Sequence, residues 1–222
     1  MDLTNSSGYT IAAFRPTPEG DIIRRYAKGV CYDVGANYGI YSVLMAQTAD
    51  VYAFEPNPLI FKHLDKTARH ASITPFNVAL SDTAGTLDFF IPEDETMASL
   101  TNWTSDEDMS GIRKFAGAVT KTSCRAETLD AFVKETQIPP PNFIKVDVEG
   151  AEINVFRGGR ETIREHRPVI FFETSQALWP KMGASAEEGF EFFRSLNYKL
   201  FKDQTELTNL NMDWDNALAI PC

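Results

Sequence analysis

Residues 30–42 read VCYDVGANYGIYS, and residues 51–55 read VYAFE. The first stretch opens with a short apolar run, 30–34. It breaks into the turn Asp33-Val34-Gly35-Ala36-Asn37-Tyr38-Gly39, and a mostly apolar segment, 38–48, is long enough for a helix. The second run, 51–54, is stopped by Glu55 and Pro56. Strand, glycine turn, helix and a second strand ending in an acid are the opening of a crossover unit. Glycines 35 and 39, with Ala36 between them, let the backbone turn tightly and approach a ligand. The helix start beyond them offers unpaired N–H groups to an anion. Glu55, about 20 residues past the glycine turn, is placed to accept hydrogen bonds from two ribose hydroxyls.

The alternation continues downstream. Segment 59–71 has helical spacing, with Leu59, Ile60 and Leu64 on one side and Lys62, Asp65, Lys66 and Arg69 mostly on the other. Runs 73–78, 142–148 and 169–172 predict three more strands. Segments 151–156, 161–166 and 187–196 predict helices, and 198–201 and 217–220 late strands. Apolar strands alternating with helices mean an α/β chain with a mostly parallel sheet and helices on both faces. Residues 87–91 read as an extra strand. The following stretch, IPEDETMASLTNWTSDEDMSG (91–111), is acidic and nearly free of apolar periodicity, which predicts a flexible flap. The organisation expected is one domain over 1–222, with a helical or lid-like segment at 1–29 and an inserted strand and loop at 86–127.

Composition narrows the function. The chain has 222 residues, 43% of them hydrophobic, and a formal net charge of -10. That excludes fibrous and disordered classes, and the acidic balance argues against a nucleic-acid partner. The three cysteines, Cys31, Cys124 and Cys222, form no CxxC pair, so a disulfide framework or cysteine zinc site is not expected. With no signal-peptide pattern and no apolar run long enough to span a bilayer, a cytoplasmic protein without a membrane span is the expectation.

In a parallel sheet the ligand lies beyond the carboxyl ends of the strands. The residues falling there are Asp33 to Gly39, Glu55, then Asn77, Ala79 and Asp82, then Lys145, Asp147 and Glu149, then Glu173. Glycine turn and Glu55 together indicate a nucleoside-containing ligand, either NAD-like or S-adenosylmethionine. Asn37 stands where a dinucleotide turn has its second glycine and would crowd a pyrophosphate. S-adenosylmethionine asks for less: a place for its carboxylate at the helix start and for its ammonium near Asp33. Tyr38, Tyr41 or Trp103 could face the sulfonium through a ring.

These stretches resemble a known family. YDVGANYGIYS (32–42), VYAFEPNP (51–58), FNVALSD (76–82) with a following GTL (85–87), TLDAFV (128–133), FIKVDVEGAEINVFRGG (143–159) and RPVIFFE (167–173) are similar to the FkbM-type S-adenosylmethionine-dependent methyltransferases. The resemblance runs from about Val30 to the final ALAIP, and KVDVEGAE is its most specific block. It implies the Rossmann-like class I methyltransferase fold, a seven-stranded sheet with a reversed last hairpin. It also implies O-methylation of a small-molecule, glycan or secondary-metabolite hydroxyl, with S-adenosylhomocysteine as product. Carried over by motif, Asp33, Gly35, Asn37 and Gly39 would line the methionine half of the cofactor, and Ala36, Tyr38, Tyr41, Ser42, Pro56, Asn57 and Asp147 would be further cofactor-binding residues. Glu55 would bind the ribose, and Asn77, Val78 and Ala79 would flank the adenine. Asp147 and Glu149 would face the reaction centre. The first thirty residues and 93–121 match least, and acceptor choice normally lies there.

Methyl transfer to a hydroxyl needs a proton acceptor. His63 and His70 fall on the second helix and His166 at the opposite sheet edge, which leaves Lys145, Asp147, Glu149, Glu152 and Glu173. Two arrangements follow. Asp147 or Glu149 takes the proton late, with Lys145 neutralising the acids. Alternatively Asp147, Glu149 and Glu173 hold a divalent cation that lowers the acceptor's pKa. Glu152 reads as a solvated or helix-start acid, and Trp103, Trp179 and Phe115 are candidates to stack on the acceptor. Competing functions are an N-methyltransferase of a small amine or protein, a non-catalytic cofactor-binding module, and a nicotinamide oxidoreductase.

Overall fold

The computed structural model describes residues 16–93, 95–100 and 118–222. Strands β1 (Gly29–Val34), β2 (Ala49–Phe54), β3 (Ile73–Phe76), β7 (Phe143–Val146), β8 (Val169–Ser175), β9 (Tyr198–Lys202), β10 (Thr205–Glu206) and β11 (Asp213–Pro221) form an eight-stranded sheet. Its order is β10-β9-β11-β8-β7-β1-β2-β3. The pairs β1–β2, β1–β7, β2–β3 and β7–β8 are parallel, and β11 runs antiparallel to both β8 and β9. The expected seven strands with a reversed last hairpin are therefore present. The eighth, β10, is a two-residue return after Lys202, made by a turn in which Asp203 takes φ +54°.

β1 and β7 lie at the centre because they are apolar on both faces. All four residues of β7 are buried, Lys145 among them. On one face Tyr32, Val34, Ile144, Val146, Ile170 and Phe172 pack against α4 (Leu129–Thr136), α5 (Glu152–Gly158), α6 (Arg160–His166) and α7 (Ala186–Ser195). Phe193 of α7 is fully buried there, with its ring 4.9 Å from Phe156 and 5.2 Å from Phe172. On the other face Cys31, Val51, Ala53, Phe143 and Phe171 pack against α1 (Pro18–Tyr26), α2 (Ile40–Met45) and α3 (Pro58–Ala68). α1 starts on Thr17, whose hydroxyl accepts from the Gly20 N–H, with Pro18 at the first helical position.

Strand alternation puts Asp33, Lys145 and Glu173 on the α1–α3 face, at the carboxyl edge. Strand β4 (Ala79–Leu80), β5 (Gly85–Pro92) and β6 (Val119–Glu127) make a second sheet of order β4-β6-β5. Its inner face, Ala79, Phe89, Cys124 and Ala126, forms a separate small cluster.

Two local expectations are corrected. α2 spans six residues rather than 38–48, because Gly39 at φ +85° delays its start and the chain turns off after Met45. The strand expected over 73–78 stops at Phe76 and resumes at Ala79, since Asn77 turns its amide to the Glu55 and Pro56 carbonyls. β6 and α4 were not expected. The loop reading over 94 and 101–117, and the lid reading over 1–15, lie outside the described residues.

Candidate active site

The glycine turn and the acid-bearing turn after β7 meet at the carboxyl edge of the two central strands. A Cβ on Gly35, which sits at φ +77°, would fall 1.8 Å from the Asp147 carbonyl oxygen. Only glycine permits that approach. The Asp147 N–H donates to the Val34 carbonyl at 3.0 Å, which holds the two turns together.

Asp33 is buried at the end of β1. Its carboxylate accepts from the Ser42 hydroxyl and lies 3.7 Å from the Lys145 ammonium, while Lys145 lies 3.1 Å from Asp147. One buried cation thus serves two carboxylates, the partnering that a lysine in a buried strand requires. Burial pulls the Lys145 ammonium down, but Asp147 and Asp33 more than reverse this and hold it above the ordinary lysine range. Burial pushes the Asp33 carboxyl up, against the pull of Lys145 and the Ser42 hydrogen bond. The Tyr41 ring centroid is 5.2 Å from the Lys145 ammonium.

Glu55 follows β2 directly, with both carboxylate oxygens engaged. One accepts from the Asn37 N–H at 2.9 Å and the other from the Asn57 N–H at 2.7 Å. Burial pushes its pKa up to about 7 despite those bonds. The Asn37 amide reaches the Thr96 carbonyl at 3.2 Å, tying the glycine turn to the segment that crosses above it.

Two cavities share this edge. A narrow one of about 50 Å³ lies between Val78, Ala79, Phe89 and the segment 98–100, and Glu55 and Pro56 line it. A wider one of about 430 Å³ opens beside Ala36, Tyr38, Tyr41 and Lys145. Gly35, Asn37, Asp147 and Glu149 line both. Glu173, on β8, faces the acids: burial first, then Asp147, Glu149 and Glu152, push its pKa up to about 9.

Most of the expected residues therefore converge. Asp33, Gly39, Ser42, Asn57, Asn77 and Glu173 line neither cavity. Ser42 is fully buried against Asp33, and Asn57 caps α3 by accepting from the Leu59 N–H. Asn77 spends its amide on backbone carbonyls. Trp179 is fully buried, its indole N–H on Glu152, so it cannot stack on an acceptor. Glu152 is itself fully buried, not solvated. Trp103 and Phe115 fall outside the described residues. His63 stands edge-on to Tyr38 at 5.5 Å. Among the described residues no three or more His, Cys, Asp or Glu are grouped to hold a metal ion. Asp147, Glu149 and Glu173 do not fit one in this arrangement. Sequence reasoning missed Phe89, Val148 and residues 98–100 as walls of the narrow cavity. Their placement depends on the second sheet folding across the first, for which no local signal exists.

A model of the methyltransferase FkbM domain matches residues 33–200. The chain belongs to the FkbM methyltransferase family. That membership removes the nicotinamide oxidoreductase alternative. The hexuronic acid methyltransferase AglP of Haloferax volcanii is 29% identical over 208 residues, covering 90% of this chain and 76% of that one. The crystal structure of an FkbM methyltransferase from Methylobacillus flagellatus KT matches with a TM-score of 0.54 at 16% identity. It covers 87% of this chain, which spans 44% of that structure's own length, and the likeness speaks to the fold. No helix among the described residues of this FkbM methyltransferase is long and apolar enough to cross a membrane.

Proposed function

We propose that this FkbM methyltransferase methylates a hydroxyl of a glycan from S-adenosylmethionine, with a hexuronic acid residue as the first acceptor to try. The observation that carries the reading is the shared wall. Gly35 and Asn37 of the nucleoside turn and the acids Asp147 and Glu149 line the same two cavities. A donor seated on the turn would present its reactive end to the acids.

The donor chemistry fits the residues present. Asp33 has a buried carboxylate oxygen with no hydrogen-bond donor, and two carboxylates share one ammonium, so the cradle favours a cationic ligand. Each Glu55 oxygen has accepted one N–H and keeps a lone pair for a ribose hydroxyl. Val78, Ala79 and Phe89 give the narrow cavity an apolar wall suited to a base. When bound, S-adenosylmethionine supplies a methyl group on a sulfonium that leaves as a thioether.

The chain's own work is positioning and proton removal. The acceptor oxygen forms a C–O bond as the C–S bond breaks, and the bonding pair goes to sulfur. The oxygen's proton goes to Asp147 or Glu149 and on to solvent. Glu173, held neutral below about pH 9, can donate a hydrogen bond to the acceptor without adding charge. The acids favour a hydroxyl over a carboxylate, since an ionised carboxylate acceptor would be driven against Asp147 and Glu149. Relatedness to a hexuronic acid methyltransferase supports the glycan class.

The test incubates the protein with S-adenosylmethionine and methyl glucuronoside, methyl glucoside or glucosamine, and follows the gain of one methyl mass. A methyl ether stable to mild alkali on either glycoside is the expected product. An alkali-labile ester or a methylated amine would overturn the hydroxyl reading.

A further inference from the structure

We propose that Glu152 is a positioning residue for methyl transfer, fixing through Trp179 the turn that presents Asp147 and Glu149 to the cavity. This rests on the reading that those two acids face the acceptor.

The turn needs to be held. Glu149 and Gly150 take φ +55° and +99° in succession, and a non-glycine residue there persists only where its surroundings impose it. The Glu152 carboxylate imposes it from beneath. One oxygen accepts from the Val148 and Gly150 N–H groups, both at 3.1 Å, and the other from the Trp179 indole at 2.8 Å. A Cβ on Gly150 would lie 2.5 Å from the Leu178 Cβ, so the turn also sits directly on the residue before Trp179. From above, the Ser99 hydroxyl donates to the Glu149 carbonyl at 2.8 Å.

Glu152 is an improbable residue for a merely structural core position. It is fully buried, lines neither cavity, and forms no ion pair among the described residues. An apolar side chain of the same size would avoid the desolvation that pushes its carboxyl pKa up. What only the carboxylate does is gather two amides of the acid turn and one indole from the segment after β8. That segment continues the strand bearing Glu173, so the clamp fixes the acids of both strands relative to one another.

The test compares Glu152→Leu, Glu152→Gln and the double variant Glu152→Gln with Trp179→Phe, against the full chain. Three readouts are taken: kcat on methyl glucuronoside, S-adenosylhomocysteine affinity by calorimetry, and hydrogen exchange at the Val148 and Gly150 amides. Glu152→Leu should lower kcat about a hundredfold, the scale of a small misplacement of reacting groups. Its S-adenosylhomocysteine affinity should fall far less than kcat, since Val148 and the two acids wall the narrow cavity but Glu55, Pro56, Val78, Ala79 and Phe89 stay in place. Both amides should exchange faster. Glu152→Gln keeps an acceptor for the two amides but sets its NH₂ against the indole N–H, and removing that N–H in the double variant should restore most of the lost kcat. Unchanged kcat in folded Glu152→Leu, a loss confined to KM or donor affinity, or unchanged exchange would overturn the proposal. If Glu152→Leu fails to fold, the Gln pair decides: recovery supports the clamp and equal loss overturns it. A wild-type chain that refuses methyl glucuronoside defeats the acceptor reading. In that case the amide exchange of the same variants still decides the clamp.

Discussion

The carboxyl edge of the main sheet gathers two sets of acids, each with one fully buried member, and treats them in opposite ways. Asp33 and Asp147 share the Lys145 ammonium at 3.7 and 3.1 Å. Glu152 and Glu173 form no ion pair among the described residues. Glu152 is held by three N–H donors, and Glu173 has a buried oxygen with no hydrogen-bond partner. In the first set a cation is built into the strand between the two acids and pulls against the burial of Asp33. The second set meets burial without a cation, which drives Glu173 towards its neutral form. In the reading proposed above, Asp33 stands on the side of the cationic donor, Asp147 lies between donor and acceptor, and the neutral Glu173 faces the acceptor. One sheet edge therefore supplies two electrostatic environments a strand apart.

The strongest way to break that contrast is to remove its cation. Lys145→Met leaves Asp33 buried and uncompensated, which should cost about 3–5 kcal/mol of stability, read from the urea midpoint. Adding Asp33→Asn should recover much of the loss, because the cost comes from a stranded charge rather than from a missing bond. A Lys145→Met midpoint equal to wild type would mean the two acid sets do not differ as described.

The next largest effect is on turnover. Asp147→Asn with Glu149→Gln keeps shape but removes both candidate proton acceptors, and kcat should fall at least about a hundredfold. S-adenosylhomocysteine should still stabilise the double variant in a thermal melt. Turnover undiminished by the double substitution would take both residues out of the chemistry.

A smaller effect tests the donor side alone. Glu55→Gln should weaken S-adenosylhomocysteine binding about tenfold, the scale of one hydrogen bond to a charged group. With its pKa pushed up to about 7, Glu55 takes up a proton as the pH falls through neutrality. Wild-type affinity should therefore decline below about pH 7, while Glu55→Gln stays flat across the same range. Equal pH profiles by calorimetry would show that the Glu55 charge does not hold the ribose.

These contrasts were unequally legible in the sequence. The glycine turn and Glu55 are local: residue type and spacing alone place them at adjacent strand ends, and they lie there. α4 also had a readable start, Thr128 accepting from the Ala131 N–H ahead of an apolar Leu129 and Phe132. β6 did not, because its Thr, Lys and Ser residues face outwards and break the apolar signal strands are read by. The break in β3 follows from one side chain, Asn77, reaching back to the strand before it. Glu152 was the least legible. Beside a helix start an acid reads as solvated, and only Trp179, 27 residues on, makes it a buried clamp. Apart from α4, whose local cap went unread, features fixed by neighbours in sequence were read, and those fixed by a partner across the fold were not.

The smallest expected effect isolates the neutral acid. An unfolded glutamate ionises near 4.5, whereas in the fold Glu173 holds its proton to about pH 9. A group with a raised folded pKa adds stability that is fully present below its unfolded value and lost as the pH rises through the folded one. Wild-type stability should therefore fall between about pH 4.5 and 9 by the contribution of Glu173. Glu173→Gln does not titrate and keeps the shape of the neutral acid, so its advantage over wild type should grow from pH 6 to pH 9. At pH 7 its turnover should be close to wild type, because the glutamine can still donate to the acceptor. A difference in urea midpoint that is the same at both pH values would mean Glu173 is ionised throughout. It would then belong with the charged acids, and Lys145 would have to serve three carboxylates rather than two.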